Sequence, residues 1–165
     1  MNIRTILFTM LTVAVVIIRP VAAAEIDFSK AITIGSGPKV VVEFTDPDCP
    51  HCRKASKYFE GRPDVTRYVF FYPLAKHPKA REKAQFVLSM LSMPDKVKAY
   101  RDVMSGGVDA VTLPSATAEG VKLQEQQLEI AKKFKVASTP TFMINGRIIE
   151  GFDVRRIEDA LGPRQ

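Results

Sequence analysis

The sequence predicts an α/β domain with a helical insertion between its second strand and a C-terminal β-hairpin. Three observations carry this reading. A β-branched run, KVVVEFTD at 39–46, feeds directly into CPHC at 49–52 and then into a helical stretch. The segment from about 78 to 135 keeps helical periodicity. Near the end, Asn145-Gly146 separates two short apolar runs, a strong signal for a two-residue hairpin turn.

Each element has a local reason. GSGP at 35–38 is turn chemistry, so the run from Lys39 to Asp46 reads as a buried strand. PHCRKASKYFEG follows as a helix that Gly61 ends. VTRYVFFYPL, Val65 to Leu74, is a second strand, stopped by Pro73 and the polar AKHPKA. AREKAQFVLSML, DKVKAYRDVM and LQEQQLEIAKKFKV supply the helical block. In the last of these, Leu128, Ala131 and Phe134 fall on one face at a spacing of three. TPTFMINGRIIEGF gives the hairpin, and DVRRIEDAL a final helix with Asp153 as N-cap.

The N-terminus sets the compartment. Arg4 precedes an uncharged run from Ile6 to Ile18, and Ala22 and Ala24 provide an A-x-A cleavage spacing, the layout of a secretory signal peptide over 1–24. An apolar helix of that length spans roughly 20 Å, short of a hydrocarbon core of about 30 Å. Arg19, between the run and the cleavage site, keeps an uncleaved membrane anchor as the alternative. The mature domain is then 25–165, enough chain for one core without disulfide staples. Its net charge falls from +6 to +4 once Arg4 and Arg19 are removed. The basic residues are scattered without interleaved aromatics, which argues against nucleic acid and leaves a mild preference for acidic partners.

The chain has two cysteines, Cys49 and Cys52. A structural zinc site needs about four ligands, and only His51 and His77 could add nitrogen, so no metal is expected. A structural bridge across so short a loop would stabilise little. A redox pair is left. With Cys49 as helix N-cap, Pro50 occupies the first helical position, where its missing N–H costs nothing. The N–H groups of His51 and Cys52 then point towards the Cys49 sulfur, and the helix dipole favours a thiolate there. Cys49 is expected to attack, Cys52 to sit buried behind it and resolve the mixed disulfide. His51 is expected to stabilise the thiolate, with Arg53 and Lys54 adding positive charge; His77 has no assigned role. Glu43, six positions before Cys49 in an apolar strand, is expected to relay a proton to and from Cys52.

A strand, C-x-x-C and helix, followed about ninety residues later by Thr-Pro ahead of a hairpin, is the layout of a thioredoxin-like fold. VVVEFTDPDCPHCRK together with VASTPTFMINGRIIEGF resembles the catalytic domain of periplasmic thiol:disulfide interchange proteins of the DsbC/DsbG type. The likeness runs over about residues 30–163. It implies that Pro140 is cis and faces the cysteines, and that Thr139 and Pro140 wall the substrate groove. It also implies secreted or unfolded polypeptides with cysteines as substrates, a redox partner with a membrane protein as one candidate, and no cofactor beyond the Cys49–Cys52 disulfide.

Three departures qualify the likeness. About a dozen residues separate Glu25 from the first strand, too few for the dimerisation domain of that family, so a monomer is expected. The family's additional structural disulfide has no cysteines here. Pro50-His51 is the dipeptide of DsbA-type oxidases, whereas Thr before the proline is isomerase-like, which leaves the direction of electron flow open between isomerase or reductase and oxidase. The competing reading is a Cu(I)-handling protein of the same fold, with Met143 as a soft third ligand.

Overall fold

The computed structural model describes residues 25–163; the segment 1–24, expected from the sequence to be a signal peptide, lies outside them. A five-stranded mixed sheet has the order β1 (Ile32–Ile34), β3 (Val65–Phe71), β2 (Lys39–Thr45), β4 (Thr141–Ile144), β5 (Arg147–Glu150). Only β2 and β3 run parallel, joined through α1 (Pro50–Glu60), with Glu43 opposite Val69 and Thr45 opposite Phe71. The sequence reading missed β1, a three-residue ITI strand antiparallel to β3. Three residues are too few to show alternation.

The helical insertion divides into α2 (Ala80–Ser89), α3 (Lys96–Met104) and α4 (Ala118–Lys133). In α4 the buried face overlaps the expected one only in part, at Ala131. Leu123, Gln124, Gln127, Ile130 and Ala131 are buried, whereas Leu128 and Phe134 are only half-buried. Two glutamines on the inner face hid the true stripe. Gln127 is inside because it satisfies backbone groups: its Oε1 accepts from Phe71 N–H at 2.7 Å and its Nε2 donates to the Lys30 carbonyl at 2.6 Å.

The hairpin forms as expected, with Asn145 at φ 47° and Gly146 at φ 77°, the left-handed pair that a tight two-residue turn requires. Asp153 caps α5 (Val154–Leu161) by accepting from Arg156 N–H at 3.2 Å. Strand alternation sorts the core. Val41 and Phe142 face Ala55 and Phe59 of α1 and Ile157 of α5. Val69 and Phe71 face the cysteines and Tyr100 and Val103 of α3. Val42, Phe44 and Phe70 face Ile130 and Ala131 of α4. Among the described residues no helix is long and apolar enough to cross a membrane.

Candidate active site

β2 ends at Thr45, and Asp46 to Asp48 turn the chain into α1, with Cys49 N–H donating to the Asp46 carbonyl at 3.1 Å. Cys49 is the N-cap in extended conformation, and Pro50 is the first helical residue, as the spacing predicts. Both cysteines are free thiols. Cys52, one turn into the helix, is fully buried, and Cys49 retains 4% exposure. Pro50 and His51 face solvent, and among the described residues no hydrogen bond ties the His51 ring.

The expected bonds from helix N–H groups to the Cys49 sulfur are not made. The thiol is itself the donor, and its Sγ lies 3.4 Å from the carbonyl of Thr139. Thr139-Pro140 is cis, as the family resemblance implies, so the Thr-Pro segment and the cysteine pair meet across ninety residues of sequence. Loss of the thiol proton breaks this bond, since a thiolate cannot donate to a carbonyl, and the sulfur is then free to turn to the helix N–H groups.

Cys52 has a different setting. Burial pushes its thiol above the ordinary cysteine range, and the neighbouring Cys49 adds to the rise. Opposing this, the Thr45 hydroxyl, the Asp46 N–H and the Thr139 hydroxyl favour the thiolate. The N–H of Asp46 donates to Cys52 Sγ at 3.4 Å. The two threonine hydroxyls are buried with no other partner among the described residues, so Cys52 Sγ sits in a small polar pocket within an apolar core.

Glu43 is fully buried on the same strand face as Thr45. Its Oε2 accepts from Arg67 at 2.9 Å, while Oε1 has no partner among the described residues. Arg67 in turn lies over the rings of Phe59 and Tyr100, at 5.1 and 5.6 Å from their centroids. Glu43, expected from the sequence to relay a proton for Cys52, is found as half of a buried ion pair. Arg67 comes from β3, directly opposite Val41, and the sequence offered no reason to pair it with Glu43.

Sequence reasoning also missed what holds the turn. Asp48 Oδ1 accepts from Lys83 of α2 at 2.6 Å and from Arg53 at 2.9 Å, and Arg53 Nε donates to the Pro47 carbonyl at 2.8 Å. Asp46 reaches His77, the residue left without a role. The two aspartates of TDPDC were the available signal. Met143 does not join the cysteines: it packs with Val42 and Phe44 on the α4 face of the sheet, whereas Cys49 and Cys52 lie on the other face. Phe142, one residue earlier, takes the α1 side, and the alternation of a strand permits only one of the two to do so. Among the described residues no group of three or more His, Cys, Asp or Glu side chains could hold a metal ion.

Comparison with known proteins places this geometry. Residues 28–153 match the family described as Thioredoxin-like domain. The chain is 29% identical over 116 residues to the probable thiol:disulfide interchange protein DsbC of Bordetella parapertussis, covering 69% of this chain and 38% of that protein. It thus spans less than half the length of the curated relatives it matches. The crystal structure of a disulfide interchange protein from Neisseria gonorrhoeae superposes with a TM-score of 0.69 at 33% identity, covering 82% of this chain and 96% of that one. The catalytic domain of Proteus mirabilis ScsC, at 23% identity, shares the fold with a TM-score of 0.65, over 81% of this chain and 88% of that one.

Proposed function

The chain belongs to the thioredoxin-like domain family, and on that premise we propose that it is a periplasmic thiol–disulfide oxidoreductase. It exchanges a Cys49–Cys52 disulfide with cysteines of secreted proteins. The observation that carries this reading is the pairing of two unlike sulfurs at one helix start. Cys49, slightly exposed, lies against the Thr139 carbonyl, and Cys52 is sealed one turn behind it.

In the reducing direction Cys49 attacks a substrate disulfide, forms a mixed disulfide and expels one substrate thiolate, which takes up a proton. Cys52 then attacks the Cys49 sulfur, the Cys49–substrate bond breaks, and the second substrate thiol leaves. The oxidising direction reverses these steps. Thr139 and Pro140 form the wall against which an extended substrate lies, with the backbone of Thr139 able to pair with it. Glu43, through an Oε1 that has no partner among the described residues, serves as the proton relay for Cys52, and His51 with Pro50 forms the solvent-side cover of the pair.

The test is insulin reduction with dithiothreitol. The wild-type protein is expected to accelerate precipitation of the B chain, and Cys49→Ser to abolish that acceleration. A wild type indistinguishable from dithiothreitol alone overturns the proposal. The direction of net flow follows from equilibration with glutathione, where a potential near about −120 mV marks an oxidant and one near about −270 mV a reductant.

A further inference from the structure

Every polar group of Asp46 is engaged, and two of those groups touch the cysteines. Its N–H donates to Cys52 Sγ at 3.4 Å, and its carbonyl accepts from Cys49 N–H at 3.1 Å. The side chain is fully buried. Its Oδ1 accepts from Asp48 N–H at 2.8 Å, and its Oδ2 from Leu74 N–H at 2.7 Å, with His77 Nδ1 2.9 Å from the same oxygen. The backbone beside it is also tied, because Tyr72 N–H donates to the Thr45 carbonyl at 2.7 Å.

One carboxylate thus clamps the cysteine turn to the loop that follows β3. Such a clamp exceeds what a turn needs, since an Asp at this place requires only the bond to Asp48 N–H to hold it. The additional bonds to Leu74 and His77 fix the peptide that presents the Asp46 N–H, and that N–H is aimed at the buried sulfur. When Cys52 must carry negative charge to attack, a fixed donor at its sulfur is worth more than an adjustable one, because nothing has to reorganise.

We propose that Asp46 is the positioning residue of the resolving step: held by Leu74 and His77, it keeps its backbone N–H on Cys52 Sγ while that sulfur attacks Cys49. The inference rests on the proposed exchange between Cys49 and Cys52. It assigns a function to the Asp46–His77 contact, and it distinguishes the two half-reactions, because the clamped Asp46 N–H faces the second sulfur and not the first.

The steps separate cleanly with oxidised glutathione as the disulfide. Cys49 first attacks it, forming Cys49–S–S–glutathione and releasing one glutathione thiol. Cys52 then gives up its proton, which passes by way of Glu43 to solvent, and attacks Cys49 Sγ. The Cys49–Cys52 bond forms, and the second glutathione leaves as thiolate and is protonated. Acid quenching and mass spectrometry count the adduct and the closed disulfide over time.

Asp46→Ala is expected to leave adduct formation within twofold of wild type and to slow ring closure about tenfold, the scale of one lost hydrogen bond to a charged group. The adduct therefore accumulates. Asp46→Asn, which keeps an acceptor for one loop, is expected to recover part of the closure rate, and His77→Ala to slow closure a few-fold. Should Asp46→Ala fail to fold, His77→Ala, whose side chain is half-buried, carries the test alone. Equal slowing of both steps, or closure at the wild-type rate, overturns the inference. A wild type that forms no adduct and no ring overturns the exchange reading itself.

Discussion

Glu43 and Arg67 show how one residue pair ties the site to the stability of the domain. Arg67 is 4% exposed and Glu43 fully buried, so the two charges are tolerable only together. Arg67→Met would strand the carboxylate in an apolar core, and breaking such a pair costs about 3–5 kcal/mol. Chemical denaturation of the reduced protein is expected to record a loss of that size, with a smaller loss for Glu43→Gln, which keeps a hydrogen-bonding partner for the guanidinium. Equal losses would mean that the pair is not the unit of stability here. If Glu43 also serves Cys52, Glu43→Gln slows ring closure with glutathione while adduct formation stays unchanged. At this scale the sequence was legible for the two cysteines, whose spacing and flanking Pro50 specify a helix cap. It was not legible for the contacts of Glu43 and Asp46, because their partners Arg67 and His77 arrive from elements whose register a single sequence does not display.

The helix crossing beneath the site depends on one missing side chain. A Cβ on Gly120 of α4 would stand 2.2 Å from Ser89 Oγ and 2.6 Å from the Gln85 carbonyl of α2. Ser89 is not free to move, since its hydroxyl donates to the Gln85 carbonyl at 2.8 Å and accepts from Thr117 N–H at 2.9 Å. Gly120→Ala is therefore expected to destabilise by about 1–3 kcal/mol, the cost of overpacking, even though alanine is the better helix former. A thermal melt reads this, and an unchanged or raised Tm would contradict so close a crossing. The same α4 explains why periodicity identified a helix there but only part of its inner face. Gln124 and Gln127 are fully buried, which residue type alone argues against. Elements whose ends carry their own chemistry were readable to the residue: Pro50 and Gly61 around α1, Asn145-Gly146 in the hairpin, Asp153 before α5. β1 had no such marks.

For the whole molecule, the burial of Cys52 links redox state, pH and stability. Its thiol is pushed up by burial, so the folded chain keeps a proton that the unfolded chain releases above about pH 8.5. That stabilisation is complete below this pH and declines as the pH rises above it, by roughly 1 kcal/mol at pH 9.5 for this group alone. Tyr100, whose burial pushes its hydroxyl up to about 12, extends the decline to higher pH. Denaturation of the reduced protein at several pH values, against Cys52→Ala, isolates the cysteine: the difference between the two should shrink on the alkaline side. A difference constant between pH 7.5 and 9.5 would contradict the buried setting of that sulfur. The central claim is that the two cysteines divide the work, Cys49 exchanging and Cys52 resolving. It is tested most directly by incubating Cys52→Ser and Cys49→Ser separately with oxidised glutathione and weighing the products without reductant. Cys52→Ser should accumulate a stable adduct on Cys49, and Cys49→Ser should remain almost unmodified; adduct formation at Cys52 as fast as at Cys49 would contradict the account.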